Sequence, residues 1–230
     1  MSMRVSNIIC DLDGTLADSL PGIEFSAREA VRHCLADREL PSLRQMIGPP
    51  ISQIFATIWP DLSHEALNCM VSAFRQNYDS SGCLKTVAYP TVVDTLRILS
   101  SMGVNLFVLT NKPQHSTNII LRHIGILDLF LDVSTPDQNG AAWANKTDGV
   151  KRLIDRRKLR VGETLLVGDS CDDMKAAKEC GLGFVPAAYG YGYAKMKDMI
   201  PDKPDAGAIG LFKEILSNKF VEASKNGRLI

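Results

Sequence analysis

The stretch VSNIICDLDGT, residues 5–15, joins a short apolar run to two carboxylates and a glycine. The run at 5–10 is β-rich and predicts a buried strand, while Asp-x-Asp-Gly at 11–14 predicts the turn that ends it. Three later segments repeat this pattern of an apolar run that stops at polar residues, and a fourth is weaker because it contains Pro186. These segments are 105–111, 129–135, 164–170 and 183–190.

Helical patterns separate the predicted strands. The first begins at Thr91, which we expect to act as its N-cap, and runs to residue 100. Strands that alternate with helices predict a parallel sheet with helices on its faces. The fold class is therefore α/β, a doubly wound parallel sheet of the Rossmann-like kind. The other predicted helices are 113–124, 146–157, 171–180 and 205–217.

The segment 16–86 interrupts this alternation, because it contains no convincing strand. It predicts short helices instead, followed by a flexible return at 79–83. We therefore expect a helical cap at 16–86, inserted into an α/β catalytic core formed by 1–15 and 87–230. The predicted cap helices are 21–36, 43–47, 51–59 and 63–79.

The composition is that of an ordinary globular protein: 45% of the 230 residues are hydrophobic and 23% are charged. A formal net charge of zero does not favour nucleic-acid binding. There is no apolar run long enough to span a bilayer, and the N-terminus lacks the features of a signal peptide. We expect a cytoplasmic protein, a monomer or homodimer, whose six cysteines are free and mostly buried.

Polar residues follow four of the predicted strands. They are the carboxylates at 11–15, the Thr-Asn-Lys run at 110–112, Lys146 at the start of a helix, and the run Gly-Asp-Ser-Cys-Asp-Asp at 168–173. Each alone has an ordinary explanation as a turn, a helix cap or a surface charge. Because open α/β sheets bind ligands at the carboxyl ends of their strands, the four together predict one site.

These residue types suit phosphoryl transfer. The Asp11 carboxylate can attack phosphorus and form an aspartyl-phosphate, while Asp13 can protonate the leaving oxygen and then deprotonate a water. Mg²⁺, which prefers oxygen ligands, can be held by Asp11 and Asp169. The Thr110 hydroxyl and the Lys146 ammonium can neutralise and orient the phosphoryl oxygens.

The motifs resemble those of the haloacid dehalogenase superfamily, in its phosphatase branch. The run 11–15 is similar to the Asp-x-Asp-Gly-Thr signature, Thr110 and Lys146 match the family's threonine and lysine, and 168–173 matches Gly-Asp-Ser/Thr-x-x-Asp. The dehalogenating members lack a second carboxylate at the position of Asp13, so this residue favours a phosphatase.

The resemblance implies a role for each matched residue. Asp11 is the expected nucleophile and Asp13 the general acid/base. The metal ligands would be Asp11, Asp169 and the backbone carbonyl of Asp13, with Asp173 in support. The expected phosphate-binding residues are Thr110, Asn111 and Lys146.

Further runs resemble the phosphoglycolate phosphatase-like group. They are Ile-Gly-Pro-Pro at 47–50, Tyr-Pro at 89–90, Thr-Asn-Lys-Pro at 110–113 and Tyr-Gly-Tyr-Gly at 189–192.

Two residues depart from this group's pattern. Thr147 replaces the proline that usually follows the catalytic lysine, which leaves Lys151 as an alternative to Lys146. Thr91 replaces a glycine. Lys112 is expected at the surface, and Arg44 in the cap is a candidate for binding a substrate carboxylate or a second phosphate.

The sequence therefore predicts a Mg²⁺-dependent phosphatase that acts on a small, phosphoglycolate-like metabolite through an aspartyl-phosphate. Three alternatives stay open. They are phosphoryl transfer of the β-phosphoglucomutase kind, pyrophosphatase activity, and binding of a phosphorylated ligand without catalysis.

Overall fold

The computed structural model describes residues 5–138 and 142–200, together with the backbone of 221–222. Within these residues it has eight strands: β1 Asn7–Cys10, β2 Ala17–Asp18, β3 Val87–Ala88, β4 Asn105–Leu109, β5 Asp132–Ser134, β6 Thr164–Gly168, β7 Gly183–Pro186 and β8 Val221–Glu222. Six of them form one sheet in the order β5-β4-β1-β6-β7-β8. The first five of these are parallel and β8 is antiparallel to β7, which confirms the predicted α/β class.

The described residues also form eight α-helices: α1 Leu20–Cys34, α2 Ile51–Ile58, α3 His64–Asn77, α4 Val92–Ser101, α5 Gln114–His123, α6 Lys146–Arg157, α7 Cys171–Cys180 and the short α8 Tyr193–Met196. None of the helices in the described part of the chain is long and apolar enough to cross a membrane. The predicted helix at 205–217 lies outside the described residues.

Strand β1 lies in the middle of the sheet and sets its register. Cys10, its last residue, pairs with Val108 of β4 on one side and Val167 of β6 on the other. All four residues of β1 are buried, as expected of a parallel strand that has helices on both faces. The residues that follow β1, β4 and β6 therefore emerge at one edge of the sheet.

Two apolar clusters cover the two faces of the sheet. Because side chains alternate along a strand, Ile8 belongs to one cluster and Ile9 to the other. The first cluster includes Leu96 of α4 and Ile120 of α5, and the second includes Val150 of α6 with residues of α7. Helices therefore pack on both faces, as a doubly wound sheet requires.

Along the chain, helices α1 to α3 follow β2 and precede β3, two antiparallel strands in which Ala17 pairs with Ala88. Strand β2 falls within 16–86, so the prediction of no strand in that segment is wrong. The predicted helix at 43–47 is wrong: the segment is a turn, in which the Met46 N–H donates to the Leu43 carbonyl at 2.8 Å. The Glu24 carboxylate holds this turn by accepting from the Leu43 N–H at 3.0 Å. The division into a cap at 16–86 and a core at 1–15 and 87–230 stays a prediction.

The return from these helices is regular, not the flexible segment predicted at 79–83. A π-helical turn, Tyr78–Gly82, continues α3 and leads into a 3-10 turn, Cys83–Lys85. There is no room for a Cβ at Gly22, because it would overlap the Gly82 carbonyl. The base of α1 and this turn are therefore packed backbone to backbone.

The expectation of six free cysteines is wrong for two of them. Cys34 at the end of α1 and Cys69 in α3 form a disulfide, with their Cα atoms 6.4 Å apart. The sequence pattern could not predict this pairing, because it depends on the packing of α1 against α3. The other four thiols are free: Cys10 and Cys83 are buried, and Cys171 and Cys180 are half-buried.

Thr91 does not cap α4 as predicted. Its φ of 68° lies in the left-handed region, and its side chain makes no cap hydrogen bond. A β-branched residue is strained in this conformation, whereas glycine adopts it freely.

We expect Thr91→Gly to raise the free energy of unfolding by about 1 kcal/mol, because relief of left-handed strain exceeds the entropy that glycine adds to the unfolded chain. Urea denaturation monitored by circular dichroism measures this change. Thr57→Gly, within the helix α2, is the matched control and should lower stability. A Thr91→Gly protein less stable than the parent would contradict the interpretation of strain.

Candidate active site

The carboxyl ends of the central strands open into one cleft of about 710 Å³. Asp11 directly follows β1, and its N–H donates to the Val167 carbonyl at 2.9 Å, which extends the ladder by one residue. Thr110 follows β4 and Asp169 follows β6. Predicted site residues that line the cleft are Asp11, Asp13, Thr110, Asn111, Lys146 and Asp169.

Lys146 lies between two carboxylates. Its Nζ is 2.6 Å from Oδ1 of Asp11 and 2.6 Å from Oδ1 of Asp173, and all three side chains are buried. Asn145 is the N-cap of α6, the helix that carries the lysine, and its side chain accepts from the Asp148 N–H at 3.0 Å. Lys146 therefore occupies the site, whereas the alternative, Lys151, is exposed on the same helix.

The electrostatics of the cluster follow from its burial. Burial alone would lower the pKa of Lys146, but the charges of Asp11 and Asp173 raise it above its usual value. Burial raises the pKa of Asp11 well above its normal range; Lys146 opposes this shift, and Asp173 and Asp169 add to it. Burial, with the charge of Asp173, also raises the pKa of Asp169 to about 7. The cluster therefore holds more negative charge than Lys146 balances.

Asp173 is fixed by the start of α7. Its Oδ2 accepts hydrogen bonds from the Ser170 hydroxyl at 2.5 Å and from the Ser170 N–H at 3.1 Å. The Ser170 hydroxyl oxygen in turn accepts from the Asp173 N–H, which completes a capping box. Because the cap holds Oδ2, the other oxygen of Asp173 points to Lys146.

Asp169 lies in a narrow space formed mostly by backbone. Its Oδ2 accepts from the Gly192 N–H at 2.9 Å, and its Oδ1 accepts from the Thr15 hydroxyl at 3.4 Å. A Cβ at Gly14, whose φ is 87°, or at Gly190 would overlap the atoms of Asp169. The two glycines therefore allow the chain to approach this carboxylate closely.

The Tyr-Gly-Tyr-Gly run at 189–192 also holds the segment that follows β1. The Tyr189 hydroxyl donates to the Thr15 carbonyl at 2.7 Å, and the Tyr191 hydroxyl donates to Oδ1 of Asp18 at 2.5 Å. The sequence marked this run as a family feature, but these contacts between distant segments could not be predicted from it.

Asp13 has two partners that the sequence did not identify. The Ser19 hydroxyl donates to its Oδ1 at 2.5 Å, and Lys112 Nζ is 3.0 Å from its Oδ2. The expected surface position of Lys112 is wrong, because its side chain is only 7% exposed. Burial would lower the pKa of Lys112, but the Asp13 carboxylate and Tyr78 raise it, so the lysine is a buried cation.

Arg44 is not brought to the cleft. It lies on the turn before Ile47, and its guanidinium is 5.7 Å from the centre of the Tyr191 ring. The cleft contains a different arginine from the helical segment, Arg75 of α3. The other residues from 20–80 that line it are mostly apolar, with polar groups on Ser52, Tyr78 and Asp79. The apolar ones are Ile23, Ile47, Pro49, Pro50, Ile51, Ile54 and Phe74.

Comparison with known proteins identifies the family to which this chain belongs. A family model described as haloacid dehalogenase-like hydrolase matches residues 8–187. The chain belongs to the haloacid dehalogenase-like hydrolase family. The phosphoglycolate phosphatase of Vibrio vulnificus strain YJ016 is 32% identical over 201 residues, which cover 84% of this chain and 87% of that protein.

The chain is also similar to a nucleotidase and to a solved structure. The 5'-nucleotidase of Pseudomonas aeruginosa is 27% identical over 200 residues, which cover 83% of this chain and 86% of that protein. A crystal structure described as a predicted phosphoglycolate phosphatase from Haemophilus somnus 129PT has a TM-score of 0.75 and 28% identity, covering 93% of this chain and 97% of that one. The predicted family, its phosphoglycolate phosphatase-like group and the enzyme class, a hydrolase of phosphoric monoesters, are confirmed.

In this haloacid dehalogenase-like hydrolase, Gly190→Ala tests the close packing around Asp169. We expect a loss of about 1–3 kcal/mol in the free energy of unfolding, because the new methyl group must displace Asp169 or the Gly14 carbonyl. Thermal and urea denaturation measure it. At Gly162 a Cβ meets no atom within 4 Å, so Gly162→Ala should leave stability nearly unchanged. Equal effects of the two substitutions would refute the packing argument.

Proposed function

We propose that the protein is a Mg²⁺-dependent phosphatase that hydrolyses a small phosphate monoester through a phosphorylated Asp11. The observation that supports this best is the cluster at the end of β1. The Asp11 carboxylate lines the cleft, Lys146 Nζ is 2.6 Å from it, and Asp13 follows two residues later. A nucleophile, a fixed cation and a second carboxylate in one cleft suit phosphoryl transfer.

The charge balance of the cluster fits a divalent cation. Asp11, Asp169 and Asp173 carry three negative charges when ionised, and Lys146 carries one positive charge, so two negative charges are uncompensated. Oxygens of these three carboxylates lie within 4.8 Å of one another. Mg²⁺ prefers oxygen ligands and is commonly bound by one or two carboxylates, so uncompensated carboxylates in the cleft suit it.

We assign Asp11, Asp169 and the backbone carbonyl of Asp13 as the metal ligands. Asp173 supports them through Lys146, to which its Oδ1 is bonded. Bound Mg²⁺ would supply positive charge to the phosphoryl oxygens.

The chain's own residues then perform two displacements. An oxygen of Asp11 attacks phosphorus, the bond from phosphorus to the ester oxygen breaks, and Asp13 gives that oxygen a proton. A water molecule next attacks the phosphorylated Asp11, passes its proton to Asp13, and displaces the carboxylate with release of orthophosphate. Thr110, Asn111 and Lys146 hold the phosphoryl oxygens during both steps.

The substrate class is supported by two different observations. Relatives named phosphoglycolate phosphatase favour a small ester with a carboxylate. The size of the cleft and the apolar wall formed by Ile23, Ile54 and Phe74 favour a larger substrate, and a nucleoside 5'-monophosphate is the second candidate.

Several predictions from the sequence carry over into this proposal as untested. Mutase and pyrophosphatase activities stay alternatives on the same residues, whereas the confirmed enzyme class disfavours the non-catalytic alternative. A cytoplasmic location and a monomeric or homodimeric state also stay predictions.

Orthophosphate release from a panel of esters tests the proposal. The panel holds phosphoglycolate, nucleoside 5'-monophosphates, sugar phosphates with and without a bisphosphate activator, and pyrophosphate. We expect turnover that requires Mg²⁺ and falls by at least about 10⁴-fold in Asp11→Asn, because the variant lacks the nucleophile. Asp94→Asn, an exposed carboxylate on α4, is the control and should keep full activity. Absence of turnover in a folded, Mg²⁺-loaded protein would contradict a phosphatase.

Mg²⁺ should stabilise the protein more as the pH rises from about 5 to 8. The folded pKa of Asp169, about 7, lies above its normal value of 3.8, so without metal this group lowers stability as the pH rises through that window. The same ionisation favours the metal, since protons compete for its ligands, and at one hundred times Kd binding adds about 2.7 kcal/mol.

Thermal denaturation with Mg²⁺ or with EDTA at each pH measures this effect. Asp169→Asn should lose most of the Mg²⁺ response and the pH dependence assigned to this group. A Mg²⁺ shift that stays constant with pH, or that survives in the variant, would argue against the assigned ligand.

A further inference from the structure

We propose that Lys112 is a positioning residue for Asp13, and that Lys112 and Ser19 together hold the Asp13 carboxylate in the orientation used for proton transfer. The proposal rests on the function proposed above, in which Asp13 is the acid and base. It adds two residues to the site: Ser19 lies outside the runs that resemble the family, and Lys112 lies within Thr-Asn-Lys-Pro at 110–113 but had no assigned role.

The two partners hold opposite oxygens of the same carboxylate. Ser19 Oγ bonds Oδ1 at 2.5 Å, and Lys112 Nζ lies 3.0 Å from Oδ2. A carboxylate with a single partner can still rotate about its last bond, whereas one held at both oxygens has a fixed plane. The Asp13 side chain stays 17% exposed, and the residue lines the cleft, so the fixed group still faces the substrate.

Lys112 is itself held from three sides. Its Nζ lies 4.7 Å from the centre of the Tyr78 ring, in a cation–π contact. Its N–H donates to the Thr110 hydroxyl oxygen at 3.2 Å, and the Thr117 hydroxyl donates to its carbonyl at 3.4 Å. A buried lysine is unfavourable unless it is paired, and here its charge is paired with Asp13.

Ser19 supplies an independent second observation. It occupies the N-cap position of α1, yet its side chain makes no cap hydrogen bond. A serine at this position usually caps its own helix, and here the hydroxyl donates to Asp13 instead. The Leu20 N–H is satisfied by Oδ1 of Asp18 at 3.2 Å and by the Tyr191 hydroxyl at 3.0 Å. The fully buried Ser19 is therefore directed to Asp13 and not to its own helix.

A leaving-group comparison tests positioning directly. The leaving oxygen of an alkyl phosphate needs a proton from the enzyme. The p-nitrophenolate released from p-nitrophenyl phosphate is a stable anion, so its departure needs little proton donation. The ratio kcat/KM reports the steps up to loss of the leaving group, so it isolates the half-reaction in which Asp13 is the acid.

We expect Lys112→Met and Ser19→Ala each to lower kcat/KM for ethyl phosphate about 10- to 100-fold, which is part of the total effect of an acid/base group. For p-nitrophenyl phosphate, we expect each variant to lower kcat/KM less than about threefold. Lys85→Met is the control: Lys85 also stacks on an aromatic ring, Phe25, at 4.3 Å, but lies outside the cleft. It should leave both values unchanged.

Two results would overturn the proposal. Equal losses on both esters would make the role of the two residues merely structural. A Lys112→Met loss on phosphoglycolate without a loss on ethyl phosphate would make Lys112 a ligand of the substrate carboxylate instead.

Thermal denaturation shows whether each variant is folded. If Lys112→Met does not fold, the results for Ser19→Ala decide whether Asp13 is positioned in this way. Wild-type turnover of either ester is measured first. Its absence contradicts the proposed function, whereas an unselective effect of the variants contradicts only the positioning role.

Discussion

The buried ammonium of Lys146 joins three separate elements of the fold. It contacts Asp11 at the end of β1 and Asp173 in α7, each at 2.6 Å, from its own place at the start of α6. Moving such ions out of water costs several kcal/mol each, so the ion pairs are favourable only when their geometry is well kept. The register of the central strands and the caps of both helices maintain this geometry. The cleft is therefore positioned by the same strands and helices that form the core of the sheet.

Four ionisable residues at the end of β1 and around it are supported in two different ways. Asp11, Lys146 and Asp173 are fixed by the core, through strand ends and helix caps. Asp13 is fixed by side chains from elsewhere, Ser19 at the start of α1 and Lys112 beside the Tyr78 ring. In the proposed mechanism this separation suits a nucleophile, Asp11, that stays in place and a neighbouring group, Asp13, that exchanges a proton with two successive partners. It also connects Asp13 to the helical segment, because Tyr78 belongs to the turn that ends α3.

The five parallel strands, most helices and many of the cleft residues could be predicted, because periodicity and short motifs are local properties of the chain. The short strands β2, β3 and β8 were not predicted. Four other features could not be predicted. The burial of Lys112 depends on Tyr78, and the disulfide depends on the packing of Cys34 against Cys69. The turn at 43–47 has a helical composition, but Glu24 holds it in another conformation. Thr91 looks like a cap, yet the chain enters α4 with a positive φ. In each case a contact between distant segments, or the path of the backbone, outweighs local preference.

The cleft has two chemically different walls, and this asymmetry separates reaction from selectivity. The edge of the sheet supplies charge and hydrogen bonds, which recognise a phosphoryl group whatever it is attached to. The helical segment supplies mostly apolar side chains such as Ile23, Ile54 and Phe74, with Arg75 and Asp79 as charged exceptions. Arg44, stacked on Tyr191, stays outside the cleft. Apolar contacts of this kind discriminate by only about 1–3 kcal/mol for each methylene-sized change. In the proposed mechanism the reaction depends on the fixed polar groups at the sheet edge, whereas the side chains of α1 to α3 that line the cleft would set the range of leaving groups.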